Sequence, residues 1–234
     1  MRWHHVAVPW NPKRRSIRPH LEREDLTRLA TDGQWPEVVA KARTWLEAWP
    51  DHHGPHEWLF IGLTHTEGIP AAESWAREML PRTSGKTHGW LQAAIVLHVL
   101  TPVRVGDWSD LAADSTDAEL VELAEEAWRT SRTVSRWAAC ALPVVRAFQG
   151  ECEVARSHAS EALSLHHMDL IERGWLAAVH SLADAGEGKA DGARKWLAQL
   201  RDINPQSRYI AVAEASLEIA DAGGLEPHRR RPGV

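Results

Sequence analysis

Residues 33–50 read GQWPEVVAKARTWLEAWP, and residues 188–205 read GKADGARKWLAQLRDINP. Laid over each other, both open on a glycine and both end on a proline. Between these ends stand Val38, Ala42 and Trp45 in the first segment, and Ala193, Leu197 and Leu200 in the second. Steps of four and then three residues place three side chains on one face of a helix. A glycine five residues ahead of the stripe can take positive φ and close a preceding helix. Pro50 and Pro205 cannot continue a helix and mark its end. Gly150 with Ala155, Ala159 and Ala162 repeats the pattern without the proline, and Ala72, Ala76 and Met79 give a weaker copy.

A second pattern alternates with the first. Trp58, Trp90, Trp137, Trp175 and Tyr209 are each followed, three and four positions on, by compact or apolar residues: Ile61-Gly62, Ala93-Ala94, Cys140-Ala141, Ala178-Val179 and Val212-Ala213. That spacing puts the aromatic and its followers on one helical face, with room for a neighbouring helix. The two patterns together describe helical hairpins in series. The expected units are 19–50, 53–82, 86–132, 135–167 and 170–205, with a capping helix over 207–222. No segment alternates apolar and polar residues with β-branched enrichment, so no sheet is expected.

The alternation resembles the tetratricopeptide repeat, a helix–turn–helix unit of about 34 residues with a Trp, Leu-Gly, Tyr, Ala, Phe, Ala, Pro signature. The resemblance covers residues 19–222 and is strongest at Gly33–Pro50, Trp58–Gly62 and Gly188–Pro205. It departs at the Leu-Gly pair, where only Ile61-Gly62 is close, and in the long third unit. It implies an all-α fold: a right-handed α-solenoid of about five helix-turn-helix repeats with a C-terminal capping helix. Residues 1–18 form a basic N-terminal segment and residues 223–234 a basic C-terminal tail. Pro, Asp and Ser accumulate over about 101–117, which marks an insertion loop in the repeat domain.

Composition narrows the functional classes. The chain has 234 residues, 44% hydrophobic and 25% charged, a balance that supports a globular core. The longest apolar run, Trp90 to Leu100, is too short to span a bilayer. No apolar stretch follows Arg14-Arg15, so a secretory signal is not expected. Cys140 and Cys152 both fall on helical stripes; neither a disulfide scaffold nor a Cys zinc site is expected, and a cytoplasmic location fits. The net charge of −5 supplies no global field for nucleic acid. The helical arginines are interleaved with acids, as in Glu22-Arg23-Glu24-Asp25, which is the pattern of a solvated face.

Thirteen Trp stand against two Phe and one Tyr. Stacking explains most of them, because a repeat buries its face only against its neighbour. Trp58, Trp90, Trp137 and Trp175, with Trp45, Trp75, Trp128 and Trp196 on the second helices, are read as packing residues. Trp108, in Asp107-Trp108-Ser109-Asp110, lies in the insertion and is the candidate loop contact.

If the first helix of each hairpin lines a concave face, residues flanking the signature aromatic point into a groove. Those residues are His56, Leu59, Leu63 and Glu67 in the second unit, and His88, Leu91, Ile95 and His98 in the third. Leu142 and Arg146 follow in the fourth, and Arg173, Leu176, His180 and Asp184 in the fifth. An apolar floor with polar groups at intervals suits an extended peptide or a partner helix. The expected function is therefore recognition of a protein or peptide partner through the groove.

The alternative is an enzyme or small-ligand binder using the His, Arg and acid residues of the same groove. Ser84-Gly85-Lys86-Thr87 looks like the end of a phosphate loop, but Leu80 stands where the first glycine belongs. Asp51, His53, His56 and Glu57 fall near one helix start, where the helix dipole disfavours a cation. No metal and no cofactor are expected.

Overall fold

A computed structural model describes residues 19–99, 118–203, 205 and 209–221. Among these, every regular element is a helix. The order is α1 (Pro19–Thr31), α2 (Trp35–Ala48), α3 (His53–Thr66), α4 (Ile69–Met79), a 3-10 turn (Leu80–Arg82), α5 (Gly85–Val99), α6 (Ala118–Ser131), α7 (Arg136–Phe148), α8 (Cys152–Leu165), α9 (Leu170–Gly186), α10 (Ala190–Ile203) and α11 (Tyr209–Asp221). The insertion with Trp108, the Tyr209 side chain and both basic termini lie outside the described residues.

The glycines expected to close helices do so with one repeated geometry. Gly33, Gly150 and Gly188 have φ of 72°, 75° and 72°. Each amide donates three residues back, to Ala30, Ala147 and Ala185. The next amide in each case reaches five residues back, to Leu29, Arg146 and Asp184, at 2.8–2.9 Å. This pair of bonds satisfies carbonyls that a helix end leaves open, and it needs a left-handed residue that only glycine adopts without strain. The opposite connections rely on N-terminal caps. Ser135 Oγ accepts from the Ala138 amide, and Asp169 with Glu172 forms a reciprocal capping box at α9.

The chain divides into two compact units, up to Trp75 and from Ala76 onward. In the first, α1 packs on α2 and α2 on α3. Leu26, Val38 and Trp45 form its buried centre, with Trp35, Trp49 and Trp58 against it. In the second, α5 pairs with α6, α7 with α8 and α9 with α10. The first members of these pairs also pack on one another in sequence, α5 on α7 and α7 on α9, and the last helix, α11, packs on α9.

The two kinds of helix differ in burial for a sequence reason. Trp90 to Leu97 and Trp137 to Val145 are buried without a break, as suits helices with neighbours on all sides. On α8 and α10 burial is confined to one stripe, Cys152, Ala155, Ala159 and Ala162, or Ala193, Leu197 and Leu200.

Tryptophan links the first-member helices of the second unit. The Trp90 and Trp137 ring centroids are 4.9 Å apart, and those of Trp137 and Trp175 5.0 Å apart, edge to face. Trp45 and Trp128 are buried, while Trp58, Trp75 and Trp196 are partly so. Small residues let paired helices approach. A Cβ at Gly89 would overlap the Ser131 side chain of α6, and one at Gly62 would sit 2.8 Å from Val39 Cγ2 of α2. Ser181 Oγ of α9 donates to the Ala193 carbonyl of α10 at 3.2 Å, which satisfies a hydroxyl that the core encloses.

Candidate functional site

The apolar residues assigned to the groove floor are core. Leu91 and Ile95 are fully enclosed, Leu176 is 1% exposed, and Leu142, Leu59 and Leu63 are also buried. Each buried Leu or Ile contributes roughly 1.5–3 kcal/mol by leaving water, so these positions hold helices together.

Three of the polar residues assigned to the groove, His180, Arg146 and Asp184, face other helices. His180 stacks on Trp196 of α10, with centroids 4.4 Å apart and planes at 15°. Arg146 forms ion pairs with Glu125 of α6 and, at 3.2 Å, with Glu151. Asp184 receives Arg156 of α8 at 3.1 Å. Each lies on the side of its helix that meets the second-helix layer, where an aromatic face or an opposite charge offsets the cost of leaving water.

The remaining histidines are structural in the same sense. His56 is fully enclosed; its Nε2 donates to the Pro50 carbonyl at 2.7 Å and its ring leans on Trp75. With the proton on Nε2, Nδ1 has no hydrogen-bond partner among the described residues. Burial holds both His56 and His180 below the ordinary imidazole range. His88 Nδ1 donates to the Leu80 carbonyl at 3.0 Å. His98 lies against the Trp137 ring, centroids 5.6 Å apart. Glu67 caps α3 on the surface, 3.9 Å from Arg43. Arg173 is exposed.

A second surface was not legible in the groove pattern. The large apolar side chains left exposed among the described residues are Val134, Val154, Leu163, Leu165, Leu170 and Ile171. All belong to the second unit, and all but Val154 sit at the α6–α7 and α8–α9 connections. His166 Nε2 donates to the Arg132 carbonyl and ties these two connections together. Leu170 is 59% and Ile171 50% exposed, one turn before Arg173. Arg132 and Arg136 border the same edge, held by Glu161 and by Asp169 with Glu172. The signal available in the sequence was the mismatch between Leu163, Leu165, Leu170 and Ile171 and the alanine stripe of α8.

Among the described residues no group of three or more His, Cys, Asp or Glu is placed to hold a metal ion. No described helix is long and apolar enough to cross a membrane. Cys140 and Cys152 are free and buried, and burial pushes both thiols up, so they stay protonated at neutral pH.

No protein-family model, no curated protein and no solved structure matches the chain. Its fold and surface define an all-α protein of serially packed helical hairpins with a tryptophan-lined interior.

Proposed function

We propose that the chain is a helical-repeat protein of tetratricopeptide-like design whose task is to bind a polypeptide partner. The recurring glycine turn and the serial packing of first-member helices support the repeat reading. A right-handed solenoid is the arrangement such repeats adopt, with α11 as its cap.

The observation that carries the binding reading is the exposed apolar edge of the second unit. Five large apolar side chains at two linked connections are bordered by Arg132, Arg136 and Arg173. Clustered apolar residues with a charged rim are the mark of a contact surface. The partner this edge fits is an apolar segment with an acidic group for Arg173, since Arg132 and Arg136 are already paired with Glu161 and with Asp169 and Glu172. The groove residues then have a supporting role: Leu91, Ile95, Leu142 and Leu176 set the spacing of the helices that present the edge.

The enzyme reading draws less support, since His56 and His180 lie against indoles and Arg146 and Asp184 are engaged in ion pairs.

The test is comparative. The wild-type chain and a Leu170→Arg, Ile171→Arg double variant are used to capture partners from the native host, with a photo-crosslinker at Ile171 in a third sample. Binding through the edge requires that the double variant lose a partner that crosslinks from position 171. Helical circular dichroism of the variant should be unchanged. Retention of every wild-type partner by the double variant overturns the proposal.

A further inference from the structure

The α8–α9 connection holds a buried carboxyl beside a second one. Glu172 is 1% exposed, on the first turn of α9. Its Oε2 accepts from the Asp169 amide at 3.1 Å, and Asp169 Oδ1 accepts from the Ile171 and Glu172 amides at 3.0 and 3.3 Å. The two side chains therefore close the helix end reciprocally, and this brings two acids together. One cation faces both. Arg136 of α7 lies 3.5 Å from Glu172 Oε1 and 3.3 Å from Asp169 Oδ2, and it is itself partly exposed. The neighbouring titratable group on α7 is Cys140, a buried thiol that stays protonated. His166, in the same connection, is engaged with the Arg132 carbonyl. The helices α8, α10 and α11 also pack on α9, and among the described residues the ion pair formed by Glu172 is with Arg136 of α7.

Glu172 is enclosed while Asp169 is 47% exposed, so an ionised Glu172 carboxylate would have only a half-solvated guanidinium at 3.5 Å to offset its loss of water. A single proton removes that charge: the Glu172 carboxyl becomes a hydrogen-bond donor and Asp169 remains the acceptor. Burial, then the Asp169 side chain, pushes Glu172 up to about 8. Asp169, despite its partial burial, is held below the carboxylate range by hydrogen bonds from Glu172 and from the Ile171 amide. The proton therefore belongs to Glu172.

The turn around this proton is held by polar contacts of Asp169, Glu172 and Arg136 rather than by apolar burial. Leu170 and Ile171 are half or more exposed, so unwinding them gives up little apolar burial. Beyond them Gly174 to Ala183 are buried without interruption and anchor the rest of α9.

We propose that the proton held by the buried Glu172 carboxyl latches the first turn of α9, so that mild alkalinity opens residues 169–173 while the remainder of the helix stays folded. The device regulates the conformation of the apolar edge, but it stands whether or not a partner docks there.

The test is amide hydrogen exchange of the intact chain between pH 6.5 and 9.5, expressed as protection relative to an unstructured peptide. Protection of the bonded amides of residues 171–173 should fall about tenfold for each pH unit above the Glu172 titration. Protection of Trp175–Leu182 should stay flat. Glu172→Gln keeps the acceptor for the Asp169 amide and cannot ionise, so its α9 protection should not change with pH. Asp169→Asn removes the like charge and should move the Glu172 titration to lower pH. A flat wild-type profile, or a Glu172→Gln profile that falls like the wild type, overturns the proposal. Should either variant fail to fold, carbon-13 titration of the wild-type Glu172 carboxyl decides: an ordinary glutamate midpoint sinks the latch, and one well above it supports the latch.

Discussion

The Trp90 ring of α5 and the Trp137 ring of α7 meet at 4.9 Å with their planes 35° apart, although 47 residues separate them in the chain. Trp137 also meets Trp175 of α9, edge to face at 5.0 Å. One indole thus sits between two others and touches both helices that flank its own. Removing it leaves a cavity that backbone packing on three helices cannot collapse into. Trp137→Ala is expected to lower unfolding stability by about 3–5 kcal/mol, and Trp137→Phe by clearly less. Denaturant titration followed by helical circular dichroism measures both. Equal stabilities for the wild type and the alanine variant would mean that this ring carries no packing load.

The relation of rings to helices was legible because it depends on spacing alone. Gly33, Gly150 and Gly188 announced left-handed turns, and the aromatic repeats announced which helices would meet. The direction in which His180, Arg146 and Asp184 point was not legible. Periodicity fixes the angle between residues on one helix, but a polar face is needed to say which side meets water. On α7 and α9 the core stretch is buried on every side, so that reference is missing. The partners that settle the matter, Glu125 for Arg146 and Arg156 for Asp184, lie 21 and 28 residues away and leave no local signal. The capping box of Asp169 and Glu172 went unread in the sequence, and the burial of Glu172 could only come from coordinates.

The crossing of α5 and α6 depends on Gly89. A methyl group there would overlap the Ser131 side chain, which is itself buried. Gly89→Ala should therefore destabilise by about 1–3 kcal/mol even though alanine is the better helix former. Ser131→Gly clears the same space from the other side. In a double-mutant cycle the two changes should be coupled, with the double variant more stable than the sum of the singles predicts. Additive effects would show that the helices separate freely at this crossing.

Exposure divides the leucines of α9 by function. Leu176→Ala removes an enclosed side chain and should cost about 2–5 kcal/mol. Leu170→Ala, six residues earlier, alters a side chain that is mostly in water and should change stability by no more than about 0.5 kcal/mol. Thermal unfolding of the two variants under identical conditions separates them. A large loss at Leu170 would show that the edge is part of the folding core, and the docking proposal would lose its basis.

Acid should weaken the fold through its histidines. Burial holds His56, His158 and His180 below the ordinary imidazole value of 6.5. The unfolded chain then binds more protons than the folded one as pH falls, so stability from the neutral rings is complete above 6.5 and is lost as pH drops through the folded values. Glu172 acts in the opposite sense: its contribution is complete below the ordinary glutamate value of 4.5 and is lost as pH rises through about 8. In a Glu172→Gln background that opposing slope is gone, and urea stability should decline from pH 7.5 to 5.5. Adding His180→Gln removes a ring stacked on Trp196 and should lower stability at every pH. The quantity that reports titration is the slope, which should become shallower because glutamine binds no proton. An unchanged slope would place the acid sensitivity elsewhere, with His56 as the next residue to replace, since its enclosed Nδ1 would carry a proton with no acceptor to receive it.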